Sequence, residues 1–239
     1  VLETMHEAAL FMDHNEFAFY TWGNEACCLP AGATRATLKG RFPNLKAGDV
    51  LIFLEKRGPE SGKAADADLA HRHALRLTAV TPGEDPLGGQ MLGPGNTDPV
   101  PVTEIEWQAE DAPPFPVCLW MVEVPAEERE PGAPAEQPVS VALGNVVLAD
   151  HGQTVADEAL ALVPAVGRYR PRLAHTDVTH CTRCGPDDDV LKDRSASALV
   201  IQDPRKALPA VELQDGGEKW NPQRDLLASD RFATEFVLE

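Results

Sequence analysis

The sequence predicts a mainly β protein, built from antiparallel barrel or sandwich domains with long Pro/Gly-rich loops and little helix. Three observations predict it. Short alternating or β-branched apolar runs recur along the chain. Gly, Pro, Asn and Asp break them at intervals too short for helical crossovers. No long stretch keeps an apolar period of ~3.6 residues, and the best helix candidates, residues 4–12 and 157–162, are short.

Residues 17–22 (FAFYTW) form an aromatic run that favours a strand and ends at the turn signal Gly23-Asn24. Pro30 and Gly32 then precede a strand with Ala33, Arg35 and Thr37 on one face and Thr34, Ala36 and Leu38 on the other. Gly48-Asp49 marks a tight turn into the apolar run Val50-Leu51-Ile52-Phe53-Leu54. After a polar loop over 56–69, residues 71–80 alternate. His73, Leu75, Leu77 and Ala79 share one face, and Arg72, Ala74, Arg76, Thr78 and Val80 the other.

Residues 81–101 hold five prolines and five glycines and predict a long loop. The strand pattern resumes over 102–107, and residues 125–138 form an acidic, proline-rich excursion. Residues 139–155 predict a hairpin about Gly144-Asn145, with a third strand starting after His151-Gly152. Beyond residue 156 the strand candidates are Leu199-Val200-Ile201, 210–213 and 234–238. This pattern predicts a barrel or sandwich domain over 1–155 and a smaller β-rich domain over 156–239. The chain opens at Val1 without an initiator Met and stops inside the alternating stretch 232–239, as an excised piece of a longer protein would.

Composition narrows the function classes. Hydrophobic residues at 43% and charged residues at 25% are those of a chain that buries a core. The 38 acidic residues outweigh 21 basic ones for a formal net charge of −17, which repels phosphate backbones and anionic lipid alike, so no nucleic-acid partner is expected. No run approaches ~20 apolar residues and no basic start leads into one, so neither membrane insertion nor secretion is expected. Five cysteines, with Cys27 and Cys28 adjacent, argue against a disulfide framework and for reduced thiols in a protein folded in the cytoplasm.

The sharpest local chemistry lies in His175, His180, Cys181 and Cys184. Cys-x-x-Cys gives two thiolates the bite of a tetrahedral zinc site, with two histidines close by. A structural zinc site usually draws its second ligand pair from a separate, matching segment, and only Cys27-Cys28 is a candidate for that. A surface loop with reduced thiols is therefore the expectation. No cofactor is assigned, and zinc is the alternative.

A redox role for Cys181 and Cys184 would need a helix starting there, and Gly185-Pro186 with Asp187, Asp188 and Asp189 oppose one. His71 and His73, two apart on a predicted strand, should present both rings to one face, as polar residues at a strand start or as a metal pair. Trp22, Trp107, Trp120 and Trp220 are expected mainly in core packing rather than in a sugar platform. The sequence holds no Gly-x-Ser-x-Gly, phosphate loop or dinucleotide fingerprint. No catalytic residues are assigned, and a non-enzyme is expected.

Six phrases occur in order: FYTWGNEACCLPAGATRATL (19–38), LKAGDVLIF (45–53), ADADLAHRHALRLTAV (65–80), VTEIEW (102–107), GNVVLADHGQTV (144–155) and DLLASDRFATEFV (225–237). Together they resemble the middle region of the baseplate assembly proteins of contractile, phage-tail-like injection systems, whose role is that of baseplate J-like wedge proteins. The resemblance spans about residue 13 to the end. It implies a structural subunit that contacts other baseplate and tail proteins and further copies of itself. Such a subunit is cytoplasmic during assembly and then part of the particle, with no catalytic residues to carry over. Chains of that family are much longer, and HCTRCG at 180–185 falls outside the pattern. The alternative is a zinc-stabilised binding module that recognises a protein or a cell-surface ligand.

Overall fold

The computed structural model describes residues 2–4, 7–88, 98–167, 169–175, 180–181, 195–200 and 204–238. The fold is mainly β with antiparallel sheets, as the alternation predicts, and the single α-helix among the described residues is α1 (Ala196–Val200). Two compact units emerge, one of Ala8–Val146 with Leu191–Val200, the other of Val1–Glu7, Val147–Val190 and Ile201–Glu239.

Strand β1 (Glu3–Thr4) belongs to the second of these. Among the described residues the larger unit has nine strands: β2 (Cys28–Leu29), β3 (Arg35–Lys39), β4 (Val50–Glu55), β5 (Arg72–Asp85), β6 (Val100–Trp107), β7 (Val117–Cys118), β8 (Met121–Glu123), β9 (Glu136–Pro138) and β10 (Ser140–Leu143). Five of them form one antiparallel sheet in the order β10-β4-β5-β6-β3. Two short ribbons, β2-β7 and β8-β9, flank it. Phe17 bridges Ala142 on one edge strand and Phe19 bridges Leu38 on the other, so the 17–20 segment draws the two edges together. No closed barrel forms among the described residues; the edges meet only through those isolated bridges.

Side-chain alternation fixes what the sheet encloses. In β4, Leu51, Phe53 and Glu55 are buried, while Val50, Ile52 and Leu54 are half-buried on the other face. Phe53 meets Phe19 and Trp107 edge-on, with ring centroids 4.9 and 5.3 Å apart. Ala36 and Leu38 of β3, Leu75 and Leu77 of β5, and Ile105 and Trp107 of β6 belong to the same core, with Phe17, Leu45, Val117, Leu119 and Ala142.

Several elements depart from the sequence expectation. A β-bulge between Leu77 and Ala79 shifts the parity of β5, so Val80 rather than Ala79 packs against the core. The loop expected over 81–101 begins late, because β5 runs on to Asp85 and pairs through Pro82, Gly83 and Glu84 with β6. Pro82 is tolerated because β4 covers β5 only from Arg72 to Arg76, leaving the far side of Pro82 without a ladder to complete.

The hairpin expected at Gly144-Asn145 does not form. Strand β10 instead pairs with β4 and bridges Phe17. Asn145 exchanges hydrogen bonds with Phe11: its Oδ1 accepts from the backbone N–H at 3.0 Å, and its Nδ2 donates to the carbonyl at 2.8 Å. Leu199 and Val200, expected in a strand, lie in α1. No helix forms at 157–162, where Asp157 sits at φ 60 and breaks the turn such a short segment would need.

The second unit pairs β1 with β11 (Ala149–Asp150) and β12 (His180–Cys181) with β13 (Leu208–Pro209). Its three-stranded sheet joins β14 (Leu213–Asp215), β15 (Glu218–Gln223) and β16 (Glu235–Val237). Gly216 and Gly217, both at positive φ, make the tight β14-β15 turn, and β15 pairs with β16 in parallel. The main hydrophobic cluster lies wholly within the larger unit.

Candidate functional site

One polar cluster of the larger unit sits where β4 ends, beside the start of β5. Glu55 occupies an inward-facing position of β4 and is only 6% exposed, so its carboxylate needs partners. It accepts the Asp68 backbone N–H at 2.9 Å on Oε1 and faces His71 Nδ1 at 2.8 Å on Oε2. A carboxylate only accepts, so in this contact His71 donates through Nδ1. The His71 ring stacks on Phe115 at 4.5 Å, and His73 meets the same ring edge-on at 6.3 Å. His73 Nε2 donates to the Asp111 carbonyl at 2.9 Å.

The two histidines thus share one side, as period-two alternation implies, and both are engaged by carboxylate, carbonyl and phenyl groups. Among the described residues no three His, Cys, Asp or Glu side chains are grouped to hold a metal ion.

Asp111 is the second node. Only 1% exposed, it accepts the Arg76 N–H at 2.9 Å and the Ala196 N–H at 2.8 Å on Oδ2, and the Ser197 N–H at 3.0 Å on Oδ1. The Ser197 hydroxyl adds a fourth donor at 2.8 Å. Burial pushes the Asp111 carboxyl up, but the donors from Ser197, Ala196 and Arg76 outweigh it and hold the group below its ordinary range. The carboxylate thereby fastens the start of α1 to β5.

A third node is the β2-β7 ribbon, where Cys28 and Cys118 are cross-strand partners with Sγ atoms 4.0 Å apart. Burial, with Cys28 and Glu55 beside it, pushes the Cys118 thiol up to about 11. Burial and the neighbouring Cys28 also raise Cys27. Neither is an activated nucleophile at neutral pH.

Of the residues singled out for zinc, His175 has its Nδ1 3.2 Å from Glu158 Oε2. The Ala174 N–H, and then His175, hold the Glu158 carboxyl below its ordinary range. His180 and Cys181 are described as backbone of β12, paired with Pro209 and Leu208. Cys184 lies outside the described residues.

The tryptophans have separate environments. Trp107 is buried with its Nε1 donating to the Ala33 carbonyl at 2.9 Å, and Trp22 is exposed. Trp120, with Pro59, Met121 and Arg129, lines an open groove of about 590 Å³ beside β8. Sequence reading missed Glu55, Asp111 and the Cys28/Cys118 pair. The parity of Glu55 with Leu51 and Phe53 was the one available signal, whereas the other two depend on long-range pairing.

No family model matches this chain, and no curated protein or solved structure shows significant similarity to it.

Proposed function

We propose that this chain is a structural subunit of the baseplate of a contractile, phage-tail-like particle, acting through protein–protein contacts rather than turnover. The observation that carries the reading is the ordered set of six phrases and where they fall. Residues 19–38 contribute part of the edge-bridging segment with β2 and most of β3, 45–53 enter β4, 65–80 enter β5, and 102–107 lie within β6. Four of the six phrases thus run into strands of the central sheet, while 144–155 and 225–237 lie outside it and include β11 and β16.

The polar clusters add support. The buried Glu55 and Asp111 and the half-buried His71 and His73 all hold strands and α1 in place, a use a scaffold makes of polar groups.

Affinity purification of the tagged full-length protein from particle-producing cells tests the proposal. Recovery of tube, sheath and baseplate proteins in fixed ratio is expected. Recovery of the protein free of any tail component would overturn it.

A further inference from the structure

The β2-β7 ribbon carries a feature that neither the core nor the proposed assembly role uses. Cys28 and Cys118 face each other across it, and the adjacent pair is hydrogen-bonded, with the Leu119 N–H donating to the Cys27 carbonyl at 2.9 Å. In an antiparallel ladder the position next to a hydrogen-bonded pair is non-hydrogen-bonded, with Cα atoms ~4.5 Å apart and side chains at their closest. That spacing falls within the ~4.4–6.8 Å that disulfides span.

Alternation separates the three thiols of this ribbon. Cys27 packs against the core, whereas Cys28 is exposed. Cys118 lies between the core residues Val117 and Leu119 and therefore faces the opposite side, with Cys28. The Sγ separation of 4.0 Å leaves about 1 Å of travel for each sulfur to reach bonding distance, a small side-chain rotation.

We propose that Cys28 and Cys118 are a reversible dithiol–disulfide site, closed by exchange with a low-molecular-weight disulfide. The Cys28 thiolate attacks one sulfur of that disulfide; its S–S bond breaks, a mixed disulfide forms on Cys28, and one small thiolate leaves. The Cys118 thiolate then attacks Cys28 Sγ, forming the cross-strand bond and expelling the second small thiolate. The two cysteines lose two electrons and two protons, and the small disulfide gains both to become two thiols.

The closed loop spans a sequence separation of 90 residues and contains β3, β4, β5 and β6, so the bond removes much of the freedom of the unfolded chain. The raised Cys118 thiol makes the second step slow at neutral pH and faster as pH rises.

The test incubates the full chain with oxidised glutathione, blocks remaining thiols by alkylation and maps the non-reduced peptides. The expected result is a Cys28–Cys118 cross-link that persists in C27S and disappears in C28S, with a higher melting temperature for oxidised wild type than for C118S under the same oxidant. Three results would overturn the proposal: no such cross-link in wild type, an equal Cys27–Cys118 cross-link in C28S, or no difference in melting. The wild-type peptide map decides alone should C118S fold poorly.

Discussion

Replacing Asp111 tests the packing of the larger unit at its most connected polar atom pair. The carboxylate receives four hydrogen bonds, from Arg76, Ala196 and Ser197 N–H groups and the Ser197 hydroxyl, while 1% exposed. Hydrogen bonds to a charged acceptor contribute about 1.5–3 kcal/mol each, but they are not additive and are offset by the cost of burying the charge. D111A leaves three backbone N–H groups without their acceptor, so a loss of about 3–5 kcal/mol is expected. D111N keeps one carbonyl acceptor but turns an amide donor toward other donors, for about 2–4 kcal/mol.

Urea unfolding followed by far-UV circular dichroism at pH 7 reads both values, and hydrogen exchange at Ala196 and Ser197 reports whether α1 detaches. Because the folded Asp111 titrates below its ordinary value of 3.8, its contribution is complete above that pH and is lost as pH falls through the folded value. The gap between wild type and D111N should therefore narrow in acid. A D111A protein within about 0.5 kcal/mol of wild type, with both amides still protected, would refute the role assigned to this carboxylate.

Three further substitutions probe other links. F53A empties a fully buried position between Phe19 and Trp107 and should cost about 3–5 kcal/mol in the same unfolding assay; a loss under about 1 kcal/mol would contradict the core described. G144A places a Cβ 2.7 Å from the His14 carbonyl oxygen and 2.8 Å from Phe17 Cε2, so about 1–3 kcal/mol should be lost, with unchanged stability counting against that close approach. Y20F removes the hydroxyl that donates to Asp85 at 2.7 Å and does most to hold that carboxyl down. Asp85 should then titrate nearer its ordinary value by carboxyl-detected NMR, and an unmoved titration would show that other donors set it.

Local alternation made much of the sheet legible. β3 and β6 fall where apolar and polar residues alternate, and β4 where an unbroken apolar run follows a turn signal and ends in charge. The bulge after Leu77 was not legible, since nothing local marks which residue is left unpaired, and it exchanged Ala79 for Val80 at the core. Proline count misled over 81–101 because a strand with only one paired side tolerates proline, and which side is paired is a tertiary fact.

The same reason hid the best-connected site residues. Asp111 and Ser197 are 86 residues apart and Cys28 and Cys118 are 90 apart, so only the packing of α1 in the one case and strand register in the other brings them together. Their chemistry is ordinary in the sequence and specific only in the fold. Conversely, Cys181-x-x-Cys184 stands out locally, while His175 is engaged by Glu158, which no metal-ligand spacing singles out.

Electron microscopy of purified contractile particles bearing an epitope tag on this protein is the most direct measurement. Label density confined to the baseplate end of the tail is the predicted result. Particles that carry no label there, or label spread along sheath and tube, would contradict the assignment.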